Sequence, residues 1–196
     1  MKFLIIANGH TKGTVTSGQP GFTLIELMIV ISIAAILLAI GVPSFQYVTS
    51  ANRASSEING LLGDLQFARA EAIREGQTVT VCPSANGTSC SGSTSWKNGW
   101  LVFSDTGAPL TIDGTDRLLK LQSSFANSDA LDADKTISAI TFSREGFAFG
   151  LGGPMTFTLH DSSTNAAYTR CLSVTIVGAL STQIGGKTTA ENKPCS

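Results

Sequence analysis

Two features of this sequence have residue types and spacings that could do chemistry. The first is a lone carboxylate, Glu26, inside a run from Phe22 to Val42 with no other ionisable side chain. A carboxylate within a bilayer-spanning helix costs about 2.5–3.5 kcal/mol on insertion scales. Its presence asks either for a cationic partner or for a place at the helix start, where the positive end of the helix dipole favours it. The second is a set of four cysteines, Cys82, Cys90, Cys171 and Cys195, all outside that run. A four-cysteine zinc site uses paired C-x-x-C knuckles, and this sequence has none. An even number in an exported head reads as two disulfides, with three connectivities open. Nearest neighbours, Cys82–Cys90 and Cys171–Cys195, are favoured because each closes a local loop, which stabilises by roughly 2–4 kcal/mol.

Other reactive residues do not add up to an enzyme. His10 lies before the apolar run, which leaves His160 as the one later histidine, beside Asp161 at a strand end. Asp113-Gly114-Thr115-Asp116 lacks the full EF-hand ligand pattern and reads as a solvated turn rather than a calcium site. Gly150-Leu151-Gly152-Gly153-Pro154 precedes a strand, whereas a phosphate-binding glycine loop opens a helix. No catalytic residue, metal or cofactor is expected.

Positioning these residues requires a membrane helix followed by a β-rich head. The 22–42 run has about the length that crosses a hydrocarbon core as a helix, and nothing later is comparable. Helical spacing then continues, with apolar residues at Phe45, Val48, Ile58, Leu61, Leu62, Leu65, Ala68, Ala72 and Ile73. Asn52, Arg53, Glu57, Asp64, Gln66, Arg69 and Glu75 are expected on the polar side, with Arg69 and Arg74 on a solvated face. Gly76 is the expected C-cap. Beyond it, strands are expected at Thr78–Cys82, Trp100–Ser104, Arg117–Leu121, Ile137–Ser143, Met155–His160 and Arg170–Val177, separated by Gly, Ser, Asn, Asp and Pro. The fold class is therefore α+β: a long N-terminal helix, membrane-spanning in its first half and amphipathic in its second, packed on an antiparallel β-sheet head. The parts are a leader at 1–21, a span at 22–42, an amphipathic continuation at 43–76 and a disulfide-bonded head at 77–196.

An ordinary secretory signal places its apolar run before the cleavage site. Here residues 8–21 are polar, and the apolar run begins directly after Gly21, so cleavage at Gly21–Phe22 would leave the helix on the mature protein. The junction Gly21-Phe22-Thr23-Leu24-Ile25-Glu26 resembles the type IV prepilin motif, in which a leader ends in Gly and the mature chain starts with Phe and has Glu fifth. The resemblance implies cleavage after Gly21 by a prepilin peptidase at the cytoplasmic face and N-methylation of Phe22. It also implies pairing of Glu26 with the terminal amine of a neighbouring subunit during assembly. Pro43 matches a position where many pilin helices are kinked or locally melted. The nearest base before Gly21 is Lys12, whereas the motif usually has one beside the Gly. Removing residues 1–21 takes Lys2 and Lys12, leaving 11 bases against 14 acids, a poor balance for a nonspecific phosphate binder.

Within the head, Val79-Thr80-Val81-Cys82-Pro83-Ser84, Cys90 and Trp96-Lys97-Asn98-Gly99-Trp100-Leu101-Val102-Phe103 resemble the GspH/FimT family. So do Phe142-Ser143-Arg144-Glu145-Gly146 and Arg170-Cys171-Leu172-Ser173-Val174. Trp96 and Trp100 read as loop and core packing. The resemblance implies a minor pilin that helps initiate a type IV pilus and support twitching motility. The alternatives are a type II secretion pseudopilus subunit and a DNA-binding minor pilin of natural transformation. DNA-binding relatives carry a Gly-Arg-x-Arg element after the last strand. Here Gly178-Ala179-Leu180-Ser181 stands in its place, and Lys187 and Lys193 are the tail's only bases, so DNA is not favoured. The implied partners are other minor pilins, the major pilin or pseudopilin, the prepilin peptidase and an inner-membrane assembly platform. The implied location is the bacterial inner membrane, single-pass with a periplasmic head, and then the pilus or pseudopilus.

Overall fold

The computed structural model describes residues 21–125, 129–134, 137–162, 165–188 and 194–195. The expectations on residues 1–20 and Lys193 lie outside them. The chain divides into two units, one ending at Ser44 and one comprising Phe45–Ser196, and helix α1 (Leu24–Glu75) contributes to both.

In the first unit, α1 is apolar and every described side chain is exposed. Among the described residues, α1 alone is long and apolar enough to cross a membrane. The helix runs unbroken through Pro43, although proline has no N–H to donate to the carbonyl four residues earlier. Its neighbour Ser44 marks the end of the first unit.

In the second unit, α1 buries Ala54, Ile58, Leu61, Leu65, Ala68 and Ala72. Their alternating steps of four and three keep them on one side of a 3.6-residue helix. Phe45, Val48 and Ile73, which share the apolar spacing, are exposed. The helix ends at Gly76, whose φ of 68° suits a residue without a Cβ, and the Gln77 N–H donates back to Ala72 O at 3.3 Å.

Among the described residues, nine strands follow: β1 (Val79–Pro83), β2 (Gly99–Ser104), β3 (Leu118–Ser123), β4 (Ala130–Ala133), β5 (Ile140–Phe142), β6 (Ala148–Phe149), β7 (Met155–His160), β8 (Arg170–Val174) and β9 (Leu180–Ile184). They form a five-stranded sheet, β3-β2-β1-β5-β6, and a four-stranded sheet, β4-β7-β8-β9, with every pairing antiparallel. Both sheets and α1 share one core. Side chains alternate across a strand: Val79 and Val81 enter that core, while Cys82 joins Leu101 and Phe103 in a second cluster on the sheet's other side. With both faces covered, every residue of β1 and β2 is buried.

Strands β4, β6 and β9 differ from the sequence expectation. β4 reads Ala-Leu-Asp-Ala and β9 reads Leu-Ser-Thr-Gln-Ile; as sheet edges they need little apolar alternation. β6 is two residues long. The segment expected as the last strand stops at Val174, turns through Gly178 at φ 73° and returns as β9. A Cβ at Gly178 would collide with Gly146 O, so both the conformation and the close approach require glycine here.

Candidate functional site

The amino-terminal site is built on the first turn of α1. Gly21, Phe22 and Thr23 precede the helix, and Phe22 is 86% exposed. Thr23 caps the helix: its Oγ1 accepts the Glu26 N–H at 3.2 Å, and its carbonyl accepts the Leu27 N–H at 3.2 Å. Glu26 therefore occupies the third helical position, with its exposed carboxylate in the turn where unpaired N–H groups concentrate positive charge. This Thr-x-x-Glu arrangement has the spacing of a capping box. Thr23 was legible from that spacing before an apolar run, yet the sequence reading did not assign it a role. Gly21, Phe22 and Thr23 thus lead directly into the first helical turn, which carries Glu26. Beyond them, the side chains from Leu24 to Thr49 are exposed.

The head is held by polar anchors buried against α1. Asp64, expected on the polar side, is buried and accepts the Trp100 indole N–H at 2.8 Å while pairing with Lys120. The indole needs an acceptor once Trp100 is fully packed, and the helix supplies one. Arg69 is not a simple solvated residue either: its guanidinium donates to Gly146 O at 2.9 Å and Val177 O at 3.4 Å, tying two loops to the helix. Arg74 remains largely exposed and pairs with Glu71 and Glu75. Arg53 holds Asp129 through two bonds of 2.8 and 3.0 Å. Burial, reinforced by the neighbouring Asp129 carboxylate, pushes the Glu57 carboxyl up to about 7.

Trp96 and Trp100 are both fully packed, with Trp96 edge-on to Phe157 at 4.9 Å. Disulfides join Cys82 to Cys90 and Cys171 to Cys195. The first closes the loop after β1, and the second fastens the Pro194-Cys195 segment to β8. Reciprocal backbone bonds Gly186 N–H to Cys195 O and Cys195 N–H to Lys187 O reinforce the second. In the Asp113–Asp116 turn the carboxylates are engaged by the chain itself: Asp113 accepts from Thr115 and the Ala108 N–H, and Asp116 from the Thr106 and Asp113 N–H groups. His160 lies at the end of β7, its Nε2 4.0 Å from Asp132.

Comparisons with known proteins agree with this architecture. The family model of the type II transport protein GspH matches residues 57–178, and that of the prokaryotic N-terminal methylation motif matches residues 16–42. A fimbrial protein of Pseudomonas aeruginosa is 45% identical over 64 residues, covering 31% of this chain and 39% of that protein. Fimbrial protein Q of Moraxella bovis is 42% identical over 72 residues, covering 37% and 45%. The chain therefore spans less than half the length of these relatives. Among solved structures, the type IV minor pilin FimU of P. aeruginosa superposes with a TM-score of 0.51 at 17% identity, over 67% of this chain and 91% of that one. The minor pseudopilin EpsH of the Vibrio cholerae type 2 secretion system gives 0.50 at 14%, over 68% and 98%. At such identities the likeness is one of fold. The GspH model covers more than half of the chain, the methylation motif lies ahead of it, and the head has the fold of FimU and EpsH: the chain belongs to the GspH family of type II transport proteins and is pilin-like.

Proposed function

We propose that this chain is a structural subunit, made as a precursor, cleaved between Gly21 and Phe22, methylated at the Phe22 amine and assembled as a minor subunit of a type IV pilus. The observation that carries the reading is the capped first turn. It holds a lone carboxylate four residues from the proposed new terminus, at the head of an apolar helix whose side chains are exposed. Residues 22–42 would anchor the precursor in the inner membrane with the head in the periplasm, residues 43–76 would continue the helix, and 77–196 would form the outward-facing head. On joining the fibre, the apolar helix would exchange lipid for neighbouring helices. Glu26 would then neutralise a neighbour's terminal amine where water cannot solvate either charge. The prepilin peptidase, the assembly platform, and other minor and major pilins are the partners this reading requires.

The fimbrial relatives favour a pilus, and a part in twitching motility is proposed with it. A second reading, a type II secretion pseudopilus, is favoured by the family's description and by the EpsH likeness. Expressing Glu26→Ala as the sole copy tests the shared core of both. The variant should insert and be processed but fail to support assembly, and normal piliation or secretion would count against it. Whether loss of the chain abolishes surface pili or protein export separates the two readings. Gly21→Leu should accumulate as a precursor, and a band of mature size would refute the cleavage site.

A further inference from the structure

A groove of ≈ 440 Å³ lies between α1 and the turn that joins β8 to β9, lined by Gln66, Arg69, Ala70, Ile73, Gly178, Ala179 and Leu180. Arg69 is the one ionisable residue of this lining. Its Nε–H donates to Gly146 O at 2.9 Å and its Nη2–H to Val177 O at 3.4 Å. Both acceptors are neutral carbonyls, so these bonds fix the guanidinium without cancelling its charge. A guanidinium has five N–H groups, which leaves two on Nη1 and one on Nη2. Among the described residues Nη1 has no hydrogen-bond partner, and it is not one of the side-chain atoms closed to solvent.

The surroundings hold this cation in one place and leave one side of it open. Gly146 and Gly178 both have positive φ, and a Cβ added to either would come within about 3 Å of Arg69 Nε. Two glycine turns thus close over the Nε side of the fork, while the free N–H groups of Nη1 stay accessible to water. Tying the two turns to α1 uses only Nε and Nη2. Beside the guanidinium, Ala70, Ile73, Ala179 and Leu180 give the groove apolar walls. Ile73 is 52% exposed, so this wall is open to a ligand. Gln66, exposed and three residues before Arg69, stands on the same side of the helix.

We propose that this groove binds a carboxylate on a short aliphatic stem, supplied either by an acidic side chain of a partner protein or by a free carboxylic acid. The remaining N–H groups of Nη1 and Nη2 would take the two oxygens, which match the planar fork of arginine, and the apolar walls would take the stem. A carboxylate suits the site better than a phosphate. Phosphate brings a second charge and a third free oxygen, and beside apolar walls with a single cation these would lose water without gaining a partner.

The test uses the full chain in nonionic detergent micelles, with the NMR signals of the Arg69 Nε–H and the Ile73 and Leu180 methyl groups followed during titration. The probes are n-butanoate and Nα-acetyl-glutamate α-amide, with n-butanamide and Nα-acetyl-glutamine amide as uncharged counterparts. The two carboxylates should saturate with Kd of about 1–10 mM, as befits small ligands, and the amides should not. Arg69→Gln should abolish the saturable shifts. Gln66→Glu leaves Arg69 and its two carbonyl bonds in place and adds an acid at helical spacing from the guanidinium, which favours the helix. It should weaken carboxylate binding at least about tenfold by competing for the fork, and so tests the site independently of any folding defect in the first variant. Ile73→Ala should weaken binding several-fold through the lost wall. Tighter binding of the glutamate amide than of butanoate supports a protein source, and the reverse order supports a free acid. Absence of saturable shifts, equal binding of the uncharged probes, tighter binding of inorganic phosphate, or affinity unchanged in Gln66→Glu would overturn the proposal.

Discussion

Asp64 and Trp100 form a bond of 2.8 Å in the head, both residues buried, with the other Asp64 oxygen paired to Lys120. One helical carboxylate thereby serves a strand residue of β2 and one of β3. Replacing it with alanine leaves a buried indole N–H without an acceptor and removes the partner of Lys120. Asp64→Ala should destabilise the head by about 2–4 kcal/mol. Trp100→Phe in the same background should lose less than it does alone, because the shared bond is already gone. Urea unfolding of the two single variants and the double variant checks both statements. Additive losses would mean that the bond contributes nothing.

The two disulfides span different lengths of chain, 8 residues for Cys82–Cys90 and 24 for Cys171–Cys195. If their main effect is on the unfolded chain, paired Cys→Ser replacement should cost about 2.5 kcal/mol for the first and about 3.5 for the second. The second variant should also release the Pro194-Cys195 segment, raising hydrogen exchange at Gly186 and Cys195, whose amides bond across that closure. A larger loss from the shorter loop would assign the stabilisation to packing instead.

Glu57 makes the head's stability depend on pH. Its carboxyl is raised to about 7, first by burial and then by Asp129, while Arg53 opposes the rise. The folded state therefore holds the proton more tightly than the unfolded state. Its stabilising effect is fully present below about pH 4.5, declines as pH rises and is lost above about pH 7. Glu57→Gln should flatten the thermal-stability profile between those limits and raise stability at pH 8. An unchanged profile would show that another group controls this window.

Arg69 and Gly178 meet at the junction of the 143–147 and 175–179 turns. The guanidinium bonds Gly146 O and Val177 O, and a Cβ on residue 178 would strike Gly146 O and approach the Arg69 Nε to 2.8 Å. Gly178→Ala should cost about 2–3 kcal/mol through the positive φ and this collision. Arg69→Lys should not fully restore what Arg69→Ala loses, because a single ammonium does not reproduce the fork that reaches both carbonyls. Differential scanning calorimetry of the three variants measures this. Wild-type stability in Gly178→Ala would mean that the turn relaxes freely.

Much of this protein was determined by local sequence. The 22–42 run specifies an apolar helix because its side chains leave no polar face, and Gly76 ends the helical pattern because a left-handed residue is needed there. The longer strands β1, β2, β7 and β8 were legible as apolar runs between turn formers. So was the α+β class, because helical spacing gives way to short strands at one point. Tertiary structure alone decided which polar residues lie inside. Asp64 and Arg69 share their helix with exposed Asn59 and Gln66, and only the arrival of Trp100 from a distant strand takes Asp64 out of water, while Gly146 and Val177 from distant turns engage the half-buried Arg69. Edge strands β4 and β9 exist because a neighbouring strand offers backbone groups to pair with, which no pattern within Ala-Leu-Asp-Ala or Leu-Ser-Thr-Gln-Ile encodes. The division into two sheets likewise follows from pairings between residues far apart in the chain, where hydrogen bonds and excluded volume rather than local propensity set the outcome.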